Sequence, residues 1–402
     1  MPEAVERRPM GPDRHKTPLQ RERQRRGWTL EYVAEELRRL GWKSADPNAV
    51  SRHERGIIRR PRAPVPDLYA KLYGKPVAAL WPDEGVVAWL DLGDDPGEEL
   101  AELAVRHVGE TDVDRIRADT DAFGLMDQRH GGGHVRWMVV EYLRREVAPL
   151  LHGTYSDRVG RELFAAAAML TRRAGMMAYD AGHQRPARRH LGLALQLARD
   201  AGSRALGAHV LVSTSHHALD LGDYQEASQL LHAARGDAQD APALLAKAAV
   251  MEARLHARLG DTGRCEEALT VASRAFERSD PAHDPEWIAN ANEAYLAGQF
   301  GNCYLDLGQP ARADPYLCSA LASYRPDYVR RRAMATTLLA RCNLERGELE
   351  QACLAGVEAI DLAVRLKSRR ALAGVSDLQQ RLEPHHRERP VREFTEHAAT
   401  LL

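Results

Sequence analysis

Long apolar runs and paired cysteines are both missing from this 402-residue chain. No stretch of about 18 apolar residues occurs, so we expect no membrane-spanning helix. The first residues are rich in arginine and proline and contain no apolar core of a signal peptide, so we expect a cytoplasmic protein. The five cysteines are scattered without any Cys-x-x-Cys pair, which argues against a disulfide framework and against a zinc site.

Catalytic motifs are missing as well. No P-loop and no Gly-x-Gly-x-x-Gly is present. His130-Gly131-Gly132-Gly133 is similar to the oxyanion loop of lipases, but no Gly-x-Ser-x-Gly accompanies it, and we interpret the glycines as a flexible loop between helices. His53-Glu54 begins a zincin-like pair, yet position 57 is isoleucine. We therefore expect no catalytic site, no metal and no cofactor.

The charge is distributed unevenly along the chain. The formal net charge is −1, but residues 1–84 carry a net charge of +6 and the remainder carries −7. A basic head on an acidic body indicates a polyanionic partner for the head alone. With 44% hydrophobic residues, the chain is long enough for two or more domains with a sizeable core.

Residues 46–56 predict a short helix with two different faces. Asp46 is a good N-cap, Pro47 suits the first helical position, and Gly56 is a good stop. One stripe carries an amide, a hydroxyl and two guanidiniums, which suits a DNA major groove, because Asn reads adenine and Arg reads guanine. A solvated helix face is the alternative. The stripe consists of Asn48, Ser51, Arg52 and Arg55.

The flanking residues predict further helices. Gly27 ends a first helix, Thr29 caps a second with apolar residues at the helical period, Pro66 begins a fourth, and Leu80 belongs to a fifth. These helices contain four short motifs: Arg-x-x-x-Gly from Arg23, Thr-Leu-x-x-Val-Ala from Thr29, Val-Ser-Arg-x-Glu-Arg-Gly from Val50 and Leu-Tyr-x-x-Leu-Tyr-Gly from Leu68. On these motifs, residues 19–81 resemble the lambda-repressor-like (XRE) helix-turn-helix domain.

This resemblance implies specific contacts with double-stranded DNA. In the family, the third helix enters the major groove and the start of the second helix touches phosphates. Carried over, the base contacts fall to Asn48, Ser51 and Arg52, and backbone phosphate contacts to Thr29 and Leu30. It also implies a partly buried ion pair between Arg23 and Glu54. Further phosphate contacts are predicted for Arg55, Arg59, Arg60 and Arg62.

The remainder of the chain predicts helices without an alternating strand pattern. Residues 85–98 read as a linker and 99–159 as a helical connector, followed by a repeat domain over 160–402. The repeats align on glycines spaced 38 to 48 residues apart, with small residues seven before, five after and twelve after each of them. The aligned glycines are Gly182, Gly222, Gly260, Gly308 and Gly347.

The repeats resemble tetratricopeptide repeats, on Leu-Gly-Asp-Tyr-Gln-Glu-Ala at 221–227 and Leu-Gly-Asp at 259–261. The resemblance implies antiparallel helix pairs stacked into a solenoid with a concave groove. Asn302 would hold a peptide backbone, and Lys247, Arg254 or Arg341 a carboxylate. The alternative to the repeats is an irregular all-α domain, and the alternative to a ligand-binding groove is an ordinary solvated groove. The implied groove positions are Met169, Met176, His209, His216, Lys247, Arg254, Tyr295, Asn302, Met334 and Arg341.

Together these patterns predict an all-α protein. A disordered arm at 1–16 precedes a five-helix helix-turn-helix domain at 17–84, and a tetratricopeptide-like solenoid forms the body. The combination resembles peptide-sensing regulators of Gram-positive bacteria, actinobacterial ones among them. It implies a homodimeric transcription regulator on an inverted-repeat operator that senses a peptide, protein or small molecule. The alternatives are an interaction scaffold whose head does not read sequence and, disfavoured by the motif search, an enzyme.

Overall fold

The computed structural model describes residues 18–54, 64–75, 80, 107–280, 282–288 and 291–401. Within these ranges the chain forms helices and no β-strand; one isolated bridge joins His107 and Thr154. The predicted all-α class is therefore confirmed for this part of the chain. The chain divides into two compact units, residues 1–88 and 89–402. We call them the head and the body.

The head contains four described helices: α1 (Pro18–Arg25), α2 (Leu30–Arg39), α3 (Pro47–Glu54) and α4 (Val65–Tyr73). Their ends follow the capping residues in the sequence. The Thr29 hydroxyl accepts a hydrogen bond from the Tyr32 N–H at 3.2 Å, and Asp46 Oδ1 accepts one from the Ala49 N–H at 2.7 Å. Gly27 has φ of 66°, a left-handed conformation that favours glycine and lets the chain turn out of α1.

Apolar residues from the four helices form one core in the head. Val33, Leu37, Val50 and Tyr69 are buried there, and so is Leu80 of the predicted fifth helix. Several predictions fall outside the described residues. They are the arm at 1–16, Val77 and Trp81 of the fifth helix, the linker at 85–98, the start of the connector at 99–106, and Arg55, Arg59, Arg60 and Arg62.

The body begins with α5 (Glu110–His130) and α6 (Gly132–Tyr142), which continues through a π-helical turn at Leu143–Val147 into α7 (Ala148–Leu151). Five antiparallel pairs follow: α8 (Asp157–Asp180) with α9 (Gln184–Asp200), α10 (Arg204–Asp220) with α11 (Tyr224–Ala238), α12 (Pro242–Arg258) with α13 (Thr262–Glu277), α14 (Glu293–Asp306) with α15 (Pro310–Ser323), and α16 (Val329–Glu345) with α17 (Leu349–Ala363). The described body ends with α18 (Arg369–Leu382) and α19 (Arg389–Leu401).

The aligned glycines lie in the turns inside these pairs. All five have φ between 67° and 83°, which a residue with a side chain rarely adopts. The small residues at the three aligned positions are buried between the two helices of each pair. A Cβ atom on Gly301 would lie 2.7 Å from the Leu317 side chain, so the helices approach too closely for a larger residue.

The two ends of the body meet at Gly131–Gly133. The Lys367 N–H donates to the His130 carbonyl oxygen and the Gly133 N–H donates to the Lys367 carbonyl oxygen, both at 2.9 Å. A Cβ atom on Gly132 would lie 2.5 Å from the Met177 carbonyl oxygen. These glycines are therefore packed against two backbones, and the interpretation of a flexible loop is wrong. The early and late helices of the body close on one another.

Candidate functional site

Helix α3 presents the predicted base-reading stripe at the surface of the head. Asn48 and Arg52 are exposed and Ser51 is half-buried, whereas Ala49, Val50, His53 and Glu54 are buried. The opposite face is held by ring contacts, since the His53 and Trp42 rings stack with centroids 5.3 Å apart. Burial, and to a smaller extent Arg52, lowers the pKa of His53 to about 4, so the imidazole is neutral at pH 7.

Arg23 and Glu54 form an ion pair between α1 and α3. The Arg23 Nε–H donates to Glu54 Oε1 at 2.7 Å, and a second N–H of the same guanidinium donates to the Trp28 carbonyl oxygen at 2.9 Å. The Glu54 side chain is 3% exposed and that of Arg23 is 15% exposed. The pair therefore fixes the end of α3 from inside the head and leaves the outer stripe available.

The start of α2 is exposed at the surface of the head. Thr29 is exposed at the helix N-terminus and Leu30 is half-buried against the head core. The backbone N–H groups and the dipole of a helix N-terminus favour an anion. Arg26, before the turn, is already engaged within the head, because its guanidinium donates to the Tyr73 carbonyl oxygen at 2.6 Å and lies 3.6 Å from Glu22 Oε2. The exposed N-terminus of α2 therefore suits an anion such as a phosphate.

The body contains a half-open cavity of about 750 Å³. The first helix of each pair lines it, together with α5 and α18. Met176 and Met334 also line it, whereas Met169 faces a neighbouring cavity of about 450 Å³. His209 does not follow the predicted register, because it is fully buried beside the Trp287 ring. The structure brings together all six residues of the predicted ligand groove: His216, Lys247, Arg254, Tyr295, Asn302 and Arg341.

Two of these six already have their charges balanced by the protein. Arg254 lies 3.4 Å from Asp220 Oδ1, and Arg370 of α18 lies 3.1 Å from Asp220 Oδ2. Burial alone would raise the pKa of Asp220, but Arg370 and Arg254 outweigh it and hold the pKa well below its usual range. Arg341 lies 3.3 Å from Asp306 Oδ1. The expected carboxylate contacts of Arg254 and Arg341 therefore go to acids of the chain itself.

A pattern in the sequence could have identified these acids. The position two residues before each aligned glycine is acidic in four of the five units: Asp180, Asp220, Asp306 and Glu345. Each of these carboxylates forms an ion pair with an arginine at the cavity or its wall. The sequence reasoning considered only positions six and thirteen before the glycines, so it found the cations and missed the acids that pair with them.

Lys247 lies in a second group of cations, with Arg172, Arg173 and Arg331. Arg172 donates a hydrogen bond to the Ser213 hydroxyl at 3.0 Å. Burial, and then the neighbouring Arg173, lowers the pKa of Arg172 to about 9. Burial and the three arginines lower the pKa of Lys247 well below its usual range. The sequence reasoning missed the three arginines, which stand at other positions of the repeat.

Comparisons with known proteins identify no family for this chain. No protein-family model matches the chain, and no curated protein matches it. Among the residues that the structure describes, no three His, Cys, Asp or Glu side chains converge as a metal site would require. None of the helices in the described ranges combines the length and apolar character needed to cross a bilayer.

Proposed function

We propose that the protein is a sequence-specific transcription regulator, with an XRE-like helix-turn-helix head that reads DNA and a tetratricopeptide-like body that senses a signal molecule. The observation that carries the proposal is the two-faced helix α3. Asn48, Ser51 and Arg52 lie on its outer side, while its inner side is locked into the head core. Amide and guanidinium groups on a rigid, exposed helix match the edges of adenine and guanine in the major groove.

The cavity supports the sensing role of the body. A volume of about 750 Å³ lies within the range of small-molecule pockets. It fits a small molecule or the end of a peptide, with Asn302 near the peptide backbone and Tyr295 beside the bound group. One short recognition helix reads only a few base pairs, so the regulator acts as a homodimer on an inverted repeat, with half-sites about 34 Å or a multiple apart.

The test selects bound fragments from the host genome and then measures affinity for the selected site over a range of salt concentrations. At about 0.15 M salt, a sequence reader binds its site 10³-fold or more tightly than random DNA. Arg52→Ala removes one base contact and should weaken specific binding about 5- to 150-fold. Arg25→Ala, which removes an exposed arginine paired with Glu22 on α1, is the matched control and should leave specificity unchanged.

Two results would overturn this proposal. A ratio of specific to random binding below about tenfold would favour the interaction scaffold whose head does not read sequence. Equal losses from Arg52→Ala and Arg25→Ala would show that α3 contributes charge alone. Sedimentation of the full-length chain with the selected site tests the dimer. One monomer bound per site would contradict the proposed homodimer.

A further inference from the structure

Four basic side chains from three helices converge inside the body. Arg172 and Arg173 lie on α8, Lys247 on α12 and Arg331 on α16. Tyr295 lies among them, with its ring centroid 5.6 Å from Lys247 Nζ and 5.7 Å from Arg331 Cζ. Arg173 and Arg331 line both cavities. We call these four residues the cation cluster, and it forms part of the wall between the two cavities.

The cluster has fewer acids than the rest of the cavity. Among the described residues, no carboxylate lies within 4.0 Å of Arg172 or Arg331. Arg173 lies 3.8 Å from Asp121, a side chain that is 82% exposed. Arg172 Nε, Arg173 Nε and one terminal nitrogen of Arg331 are buried without a hydrogen-bond partner. By contrast, Arg254, Arg341 and Arg370 each contact a carboxylate.

An anion would correct this imbalance. The buried carboxylate of Asp127 lines the same cavity and acts on these arginines, but it is already paired with Arg330 at 2.7 Å. Burying several like charges with so little counter-charge destabilises a folded chain, and buried donors without partners add to that cost. Arginine side chains bind phosphate and carboxylate with two parallel hydrogen bonds each, and Arg172, Arg173 and Arg331 all line the cavity. The cavity of about 750 Å³ is of a size that admits a small molecule or a peptide end.

We propose that the cation cluster, Arg172, Arg173, Lys247 and Arg331, binds a multiply charged anionic group, either a phosphate or paired carboxylates. That this group belongs to the signal molecule rests on the proposed function; that the cluster binds an anion does not. Tyr295 and Tyr324 stand beside the cluster and contact the remainder of the ligand. The site overlaps only in part with the one expected from the sequence, in which Lys247, Arg254 or Arg341 was to take a carboxylate. It keeps Lys247, whereas Arg254 and Arg341 contact acids of the chain itself.

Calorimetric titration of the full-length chain tests the site. Inorganic pyrophosphate is the phosphate probe and citrate the carboxylate probe, both at constant ionic strength. We expect at least one probe to bind the wild type, and Arg172→Gln and Arg331→Gln each to weaken its Kd at least tenfold. Arg258→Gln is the matched control, because Arg258 also lines the cavity but is paired with Asp306, and its Kd should change less than threefold.

A thermal melt without ligand separates binding from structure. Removing one of several crowded cations should leave the Tm of Arg172→Gln and Arg331→Gln equal to or above that of the wild type, as is common for residues that serve function at the expense of stability. Pyrophosphate or citrate should then raise the Tm of the wild type and of Arg258→Gln more than that of the two cluster variants. Binding of one probe and not the other identifies the chemical class.

The proposal fails if neither probe binds the wild type, or if the cluster variants bind as tightly as the wild type. It also fails if both cluster variants lower the ligand-free Tm, because the arginines would then be structural. Operator binding by the same variants is measured in parallel. If the wild type binds its operator but binds neither anion, only this inference is overturned. If the wild type binds an anion but shows no sequence-specific DNA binding, only the proposed function is overturned.

Discussion

Glu54 forms the buried half of an ion pair inside the head. Its side chain is 3% exposed and lies 2.7 Å from Arg23 Nε. Glu54→Gln leaves a mostly buried guanidinium without its counter-charge, and breaking such a pair costs about 3–5 kcal/mol. Because Arg23 keeps some contact with water, we expect a loss of about 3 kcal/mol. Hydrogen exchange of the α2 and α3 amides in the full-length chain measures this loss.

The control for Glu54→Gln is Glu36→Gln on α2. Glu36 pairs with Arg39 at 2.7 Å, but the Arg39 side chain is 67% exposed, so the loss should stay below about 1 kcal/mol. Similar protection factors in the two variants would show that the Arg23–Glu54 pair is no more important than a surface ion pair.

His190 makes the stability of the body depend on pH. The residue is 2% exposed, and burial, followed by Arg136 and Arg189, lowers its pKa from 6.5 to about 4. Between these values the unfolded chain binds a proton that the folded chain excludes, so stability falls as the pH drops from 6.5 towards 4. His190→Leu should recover about 2 kcal/mol at pH 5 and change stability by less than about 1 kcal/mol at pH 8.

Urea unfolding of wild type and His190→Leu at both pH values tests this sign. Other buried histidines of the body have lowered pKa values too, His217 to about 4 and His209 and His216 well below 6.5. The variant therefore keeps part of the wild-type pH dependence. An unchanged difference between the two proteins at pH 5 and pH 8 would show that the pKa of His190 is the same in the folded and the unfolded chain.

At the level of helices and turns, local requirements were visible in the sequence. A turn with positive φ needs glycine, and two close helices need small residues, so Gly182 and Gly301 could be placed without knowing the rest of the fold. Gly131–Gly133 could not be interpreted in this way. The backbone that they pack against belongs partly to Lys367, more than 200 residues further along the chain.

Gly132→Ala tests the closing junction. A methyl group there would lie 2.5 Å from the Met177 carbonyl oxygen, and overpacking of this kind costs about 1–3 kcal/mol. Gly192→Ala in α9 is the control, since no atom lies within 4 Å of the added methyl group, and it should stabilise the helix by about 0.5–1 kcal/mol. Urea unfolding measures both, and changes of the same sign would contradict the close packing at Gly132.

At the scale of the whole body, the contacts that matter most join residues far apart in the sequence. Arg330 on α16 lies 2.7 Å from Asp127 on α5, and Ser368 donates to Asp180 at 2.8 Å. No periodic pattern predicts such pairs, whereas the cavity-lining register follows from the spacing within each unit. An open array of repeats unfolds through nearest-neighbour contacts. Closure adds contacts between its two ends, so we expect the body to unfold as one cooperative unit.

Arg330→Gln tests this cooperativity. Arg330 is paired with Asp127 and lies 3.5 Å from Asp180, and both of these carboxylates are buried. The substitution removes their shared counter-charge and should cost about 3–5 kcal/mol. In a closed body, hydrogen exchange should show protection falling together in α5, α12 and α16. Arg204→Gln, whose partner Asp237 lies 2.8 Å away at the surface, should cost less than about 1 kcal/mol. Protection lost in α16 while α12 stays unchanged would mean that the helix pairs open independently despite the closing contacts.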